Sequence, residues 1–396
     1  MVIRTLPFGV SLKAVGRFAE GAKLSEETLG LRRKVLGPEH PDTLLAMNNL
    51  AHGYDTLGRR DEASRMNKEA LALCTRILGP EHRHTLDALN DMATFDDEAG
   101  RREEALKLRE QAVKLRRKAI GPEDPDTLNA MFDLATSYQE AGRAEEALKL
   151  QEDVLALRRK VFGPEHPDTL AAMNALARSY LAAGQSDQAL SLLTTAAGNF
   201  GNSLADLQLA ACQAWLGRET DYTATCRRFL EWAKDTSKPV DAQRASESAS
   251  IRPQAAPQML EAALLLAKRA VELGQRENSS LLPQFQISLG IAEYRSGHYP
   301  QADQAFAAVM AAPSQDKDTS AKIQGVTGFY RAMSLFRQGQ ETEAQALFSA
   351  TEATMKPLPA DEHKPAVSDT NQDNFILWLA YKEARALLNP PKPKAL

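Results

Sequence analysis

The chain has 396 residues, 43% of them apolar and 25% charged, which is enough to bury a core and excludes a globally disordered polypeptide. Its net charge of −4 argues against a dedicated nucleic-acid binder. Three dispersed cysteines, Cys74, Cys212 and Cys226, exclude a disulfide framework or a paired-cysteine zinc site and fit a reducing, cytoplasmic setting.

In chain order, the opening MVIRTLPFGVSLKAVG carries one arginine, a broken apolar stretch and no A-x-A cleavage site, so a secretory leader is not expected. Residues 1–15 read as an irregular segment: they either improvise a first helix or mark the chain as a piece of a longer parent. From Gly16 a repeat takes over. GPEHPDTL begins at Gly37, GPEHRHTL at Gly79, GPEDPDTL at Gly121 and GPEHPDTL again at Gly163, always 42 residues apart. Gly16, Gly58, Gly100, Gly142 and Gly184 keep the same step, as do the small residues Gly21, Ala63, Ala105, Ala147 and Ala189.

Each unit reads as two helices. In PDTLNAMFDLATSYQEAG, Met131, Leu134, Ala135 and Tyr138 fall on one face at helical spacing. Proline suits the first turn, His40, Asp124 and His166 stand as caps, and Gly142 ends the helix. In AEEALKLQEDVLALRRKVFG, Ala147, Leu150, Val154, Leu157 and Val161 form the apolar stripe, with acids first and bases last, as the helix dipole favours. A pair this small buries its apolar face only by stacking on its neighbours, so the expected fold is an all-α solenoid of about eight helix pairs.

Farther on, Leu204–Leu216 and Tyr222–Ala233 pair around Gly217. Residues 235–257 are polar and proline-bearing, either a loop or a short eroded helix. SLGIAEYRSGHYPQADQAF and AMSLFRQGQETEAQALF repeat the pattern in degenerate form. Lys356–Asp373 is a proline-rich connection, Asn374–Leu388 an apolar helix expected to cap the open end, and NPPKPKAL a fraying tail. The expected organisation is therefore residues 1–15, the 42-residue array over 16–200, degenerate repeats over 201–355, and connection, cap and tail over 356–396.

Small, aromatic and alanine landmarks, as in Ala51, Tyr54 and Ala63, or Ala135, Tyr138 and Ala147, or Ala177, Tyr180 and Ala189, resemble the tetratricopeptide repeat. The 42-residue form with LGPEHPDTL and MNNLA resembles the kinesin-light-chain type, over residues 16–198. The resemblance implies a right-handed superhelix of antiparallel helix pairs with the first helices on its concave face, and a role in protein binding. AEYRSGHY, GFYRAMSLFRQGQETEA, MKPLPADE and ILWLAYKEARALL, between about 290 and 388, resemble the tails of repeat-bearing bacterial serine/threonine kinases, which implies a signalling parent. The kinase motifs themselves are absent: there is no GxGxxG loop, no HRD and no DFG.

Catalysis finds no candidate. His82 and His84 offer at most two ligands in one loop, too few for a metal. Glu39, Glu81, Glu123 and Glu165 recur with the repeat and so serve helix initiation rather than acid–base chemistry. Cys74 reads as packing. No metal and no cofactor are expected. The basic triplets Arg32–Lys34, Arg116–Lys118 and Arg158–Lys160 would line one edge, an alternative surface for nucleic acid or another anion, although no aromatic residue interleaves for base stacking.

The groove that the resemblance implies is the leading candidate site. Asn48, Asn90, Phe132 and Asn174 would face it, one per repeat, with Asn49, Asp91 and Asp133 as deeper neighbours. Asparagine offers both an acceptor and donors, so a ladder of them can read the backbone of an extended peptide. Asp55 and Asp97 add negative charge, the first helices carry no lysine, and Arg178 is their clearest base, so a basic or neutral partner segment is expected. The reading is a non-enzymatic protein-interaction scaffold. An unpaired first edge predicts self-association, and the C-terminal resemblance predicts a link to a serine/threonine kinase.

Overall fold

The computed structural model describes residues 18–197, 203–253, 256–311, 317–355, 357–361 and 372–389. The expectations for residues 1–15, for most of the proline-rich connection and for the tail lie outside these. The described residues form eighteen helices and no strand. The chain divides into two compact units, Met1–Pro164 and Glu165–Leu396. The division falls inside the 42-residue array, in its fourth GPE loop.

The first unit holds α1 (Phe18–Val35) and three pairs: α2 (Pro41–Thr56) with α3 (Arg60–Ile77), α4 (Arg83–Glu98) with α5 (Arg102–Ala119), and α6 (Pro125–Glu140) with α7 (Ala144–Phe162). The second holds α8 (Pro167–Ala182) with α9 (Ser186–Ala197), α10 (Ser203–Trp215) with α11 (Glu219–Ala233), and α12 (Pro239–Ser250) with α13 (Pro257–Arg276). It continues with α14 (Leu282–Arg295) and α15 (Tyr299–Ala311), α16 (Lys317–Arg337) and α17 (Glu341–Thr354), and ends in α18 (Gln372–Leu388). Each pair packs on the next within its unit, the architecture of an α-solenoid.

Local chemistry places the helix ends. The side chains of His40, His82, Asp124 and His166 accept from the backbone N–H two residues on, at 3.0–3.2 Å, and each opens a first helix. Proline occupies the first turn of α2, α6 and α8. At the far end of α6, Gly142 has φ 76°; its N–H donates to the Gln139 carbonyl and that of Arg143 to the Tyr138 carbonyl, a Schellman closure. Arg143 then stacks its guanidinium 4.3 Å from the centre of the Tyr138 ring, as Arg59 does at 4.0 Å on Tyr54, so the aromatic landmark is pinned by the residue that follows the glycine.

The small landmark residues Ala63, Ala105, Ala147 and Ala189 are at most 1% exposed, where helices approach closely. Around them Leu44, Met47, Leu86, Leu128 and Met131 are fully buried, each contributing about 1.5–3 kcal/mol by leaving water. On α6 the expected face is largely the buried one, with Met131, Leu134 and Ala135 inside and Tyr138 half-buried. On α7 the buried stripe is turned from the expected one. Ala147, Gln151, Val154, Leu155 and Arg158 are inside, whereas Leu150 and Leu157 are only half-buried and Val161 is exposed.

Two features of the second unit depart from the sequence pattern. The open choice for residues 235–257 resolves to a helix, α12, half of whose residues are alanine or serine. Ala242, Ala245, Ser246, Ala249 and Ser250 are fully buried because only small side chains fit between its neighbours. Its last-turn carbonyls are used by other helices: Tyr222 Oη donates to Ser248 O at 2.7 Å, and Arg295 Nε to Ser250 O at 2.9 Å.

The second departure is α18, which does more than close an open end. Tyr381 packs on Phe329 of α16 and Phe348 of α17, but Phe375 and Trp378 pack on Trp215 of α10, and Glu383 pairs with Arg295 of α14 at 2.5 Å. It thus lies along the first helices of several pairs. Seven apolar side chains of α18 are buried, Phe375 to Trp378 and Ala380, Tyr381 and Ala384, a surface too broad for one end face.

Candidate functional site

The first helices of the first unit, α2, α4 and α6, carry the candidate residues in register. Asn48 is 3% exposed and neither amide atom has a hydrogen-bond partner among the described residues, so it lies beneath this face. Asn49 is exposed and Asn90 half-buried. Asp91 accepts from or pairs with His52 Nε2 at 3.0 Å, and the His52 ring rests 5.8 Å from that of Phe95. At the ends of α2 and α4 the carboxyls of Asp55 and Glu98 meet; burial, followed by the Asp55 charge and hydrogen bond, pushes the Glu98 carboxyl up.

Three arginines of the second helices reach the same face, which the sequence pattern did not show. Arg109 pairs with Asp97 and donates to Ser137 Oγ at 2.6 Å. Arg116 donates to Asp87 Oδ1 at 2.6 Å. Arg158 donates to Asn129 Oδ1 at 2.8 Å and lies 4.6 Å over the Phe132 ring. Arg116 and Arg158 open the second and third basic triplets, and they point inward because successive helical positions are about 100° apart, so three adjacent side chains cannot share one face. Spacing held a signal for this: Arg116 follows buried Ala112 by four residues, and Arg158 follows buried Val154 by four. Asp133, exposed on α6, has its carboxyl pushed up by desolvation against the pull of Arg109 and Arg158.

The last residue of these triplets is paired on the outside. Lys118 pairs with Glu81 and Lys160 with Glu123, as does Arg76, which stands alone in its repeat, with Glu39 at 2.7 Å, so the recurring GPE glutamate meets the basic end of the next second helix. These exposed pairs add little stability but neutralise the edge.

Between α4, α5 and α6 lies an open polar cleft of about 300 Å³ lined by Arg83, Asp87, Asn90, Arg116, Asn129 and Asp133, among others. In the second unit, Asn174 is half-buried and its Oδ1 has no hydrogen-bond partner among the described residues, and Arg178 borders a small cavity closed by Gln208 of α10 and by Gln372 and Phe375 of α18. Desolvation there lowers the pKa of the Arg178 guanidinium. The candidate residues thus fall into two groups, one in each unit.

The sequence model of the tetratricopeptide repeat matches four overlapping stretches, residues 2–76, 57–118, 85–160 and 126–200, together half of the chain. The chain belongs to the tetratricopeptide repeat family. Among solved structures it is similar to the kinesin light chain repeats of Podosopora anserina at 32% identity, over 48% of this chain and 90% of that one, with a TM-score of 0.43. It is also similar to BtubC (BKLC) of P. vanneervenii at 14% identity, over 76% of this chain and 95% of that one, TM-score 0.36. A third similarity, at 14% identity, is to a monomeric mutant of IFIT1 solved with Gppp-AAAA, over 87% of this chain and 76% of that one, TM-score 0.45. No curated protein matches the chain.

Repeats of this family generally mediate protein–protein interaction. The three cysteines are buried and free, and burial pushes the thiol of Cys74 up to about 11 and those of Cys212 and Cys226 to about 12, as packing residues require. Among the described residues no helix is long and apolar enough to cross a membrane. His82 serves as a helix cap, and its ring sits 5.2 Å from that of His84.

Proposed function

We propose that the chain is a non-enzymatic, cytoplasmic scaffold that holds an extended, basic or neutral segment of a partner protein along the first helices of its first unit. One observation carries this reading: the polar side chains Asn49, Asp91 and Asp133 recur in repeat register on that face, and Asn90 and Asp133 line its open cleft. In the second unit the corresponding first helices are already covered by α18. A preformed surface of paired donors and acceptors loses little freedom on binding, so modest contacts suffice for affinity.

The test is retention of partners from host lysate by the wild-type chain and by an Asn49→Ala/Asn90→Ala/Asp91→Ala variant of equal helicity by circular dichroism. Loss of specific partners in the variant supports the face as the working surface; identical retention by both places binding elsewhere. A link to a kinase pathway rests on the C-terminal resemblance alone. The anion-binding alternative is opposed by the acidic partners of Arg76, Lys118 and Lys160.

A further inference from the structure

We infer that the cleft between α4, α5 and α6 is a carboxamide subsite, which takes the side chain of an asparagine or glutamine of the bound segment. The inference rests on the groove reading above and narrows it to its neutral branch.

Arg116 is 4% exposed and lines the cleft. Its Nη2 is held by Asp87, but Nε and Nη1 have no hydrogen-bond partner among the described residues. Orphaned buried donors are costly, so an acceptor that the Arg116 guanidinium can turn to meet in the cleft is favoured. A carboxylate is the wrong acceptor, because Asp87, Asp126 and Asp133 line the same cleft. The Asp133 carboxyl is already pushed up by desolvation, and another anion would raise it further. A lysine or arginine is also wrong: it brings no acceptor to Arg116 and adds a cation beside Arg83 and Arg116.

A carboxamide matches both halves. Its oxygen accepts from Arg116, and its NH2 donates to Asp133 or to the Asn90 side-chain oxygen. It carries no charge into a cleft whose other ions are paired, Arg83 with Asp126 and Arg116 with Asp87.

The neighbouring repeats do not reproduce this arrangement. The position 42 residues before Arg116 is Cys74, fully buried. The position 42 residues after it is Arg158, which covers the Phe132 ring and holds Asn129. The subsite therefore gives one fixed side-chain preference to a face that otherwise reads backbone.

The test pans the full-length chain, Arg116→Met and Asn90→Ala/Asp133→Ala against a random peptide library displayed on phage, with thermal unfolding as a folding control. The expected result is a fixed asparagine or glutamine in peptides selected by the wild type, and loss of that position with both variants. Replacing that residue by alanine in a selected peptide should weaken binding about tenfold to the wild type and less than about twofold to Arg116→Met. A fixed acidic or basic residue overturns the inference, as does an unchanged consensus with the variants. If Arg116→Met does not fold, Asn90→Ala/Asp133→Ala decides, since it removes both acceptors for the carboxamide NH2. Selection of no peptide by the wild type overturns the groove reading itself, and this inference with it.

Discussion

Replacing Glu247 by glutamine should remove a pH dependence from the stability of the second unit. Glu247 lies on α12, where burial, followed by the negative charge of Asp373 on α18, pushes its carboxyl from 4.5 to about 7 against the hydrogen bond from Gln243 and the charge of Arg244. The native state therefore binds this proton more tightly than the unfolded chain does. Stability is greatest at acid pH and falls as pH rises from the unfolded value near 4.5 through 7. A carboxyl displaced this far costs the native state up to about 3 kcal/mol at pH 9, and residual solvent contact brings the expectation to about 1–3 kcal/mol. For a unit of this size that is a midpoint difference of about 2–4 °C per kcal/mol.

Thermal unfolding followed by circular dichroism between pH 5 and pH 9, wild type against Glu247→Gln, reads it directly. The difference should be smallest at pH 5, widen up to about pH 7 and level off above it, with the variant the more stable. Asp206, pushed up to about 6 by burial despite its bond to Arg228, contributes equally to both and cancels in the difference. Parallel curves across the range would refute the argument, because the Glu247 carboxyl would then titrate alike in the folded and unfolded chain.

Gly142→Ala should cost about 1–2 kcal/mol; φ there is 76° and an added Cβ meets nothing within 4 Å, so the loss is one of backbone conformation alone and shows in the urea midpoint. Arg295→Met should destabilise the second unit by about 3–5 kcal/mol, because Glu383 loses its buried partner and the Ser250 and Ile251 carbonyls lose their donor; the chemical-denaturation midpoint checks this. Asp124→Ala should cost about 1 kcal/mol through loss of the N-terminal cap of α6, seen in the same assay. Native protein at pH 8 should leave Cys74, Cys212 and Cys226 unreactive toward a thiol reagent, whereas urea should release all three.

The repeat and its helix ends were legible because they are written locally. The cap at Asp124 reaches N–H groups two and three residues on, and the closure at Gly142 spans five. Such short-range chemistry repeats wherever the sequence repeats, which is why three landmarks of one period suffice to read the family. The candidate face was legible only in part. Asn49, Asn90, Asp91 and Asp133 fall on first helices as the pattern implied, but Asn48, one residue from Asn49, is buried. One helical position, about 100°, separates a contact residue from a core residue, and a periodic pattern does not set phase to that precision.

The amino-acid pattern alone set the helical class, the period of 42 residues, the caps and the glycine stops. Only the stacked helices decided what the inward Arg116 and Arg158 hold, that a serine- and alanine-rich stretch is the buried helix α12, and that α18 lies along the first helices of its unit. These outcomes join residues far apart in the chain, Asp87 to Arg116 across 29 positions, Arg295 to Glu383 across 88 and Gln208 to Gln372 across 164. Each depends on a partner that becomes available only after the helices have stacked, and no local periodicity encodes such a partner.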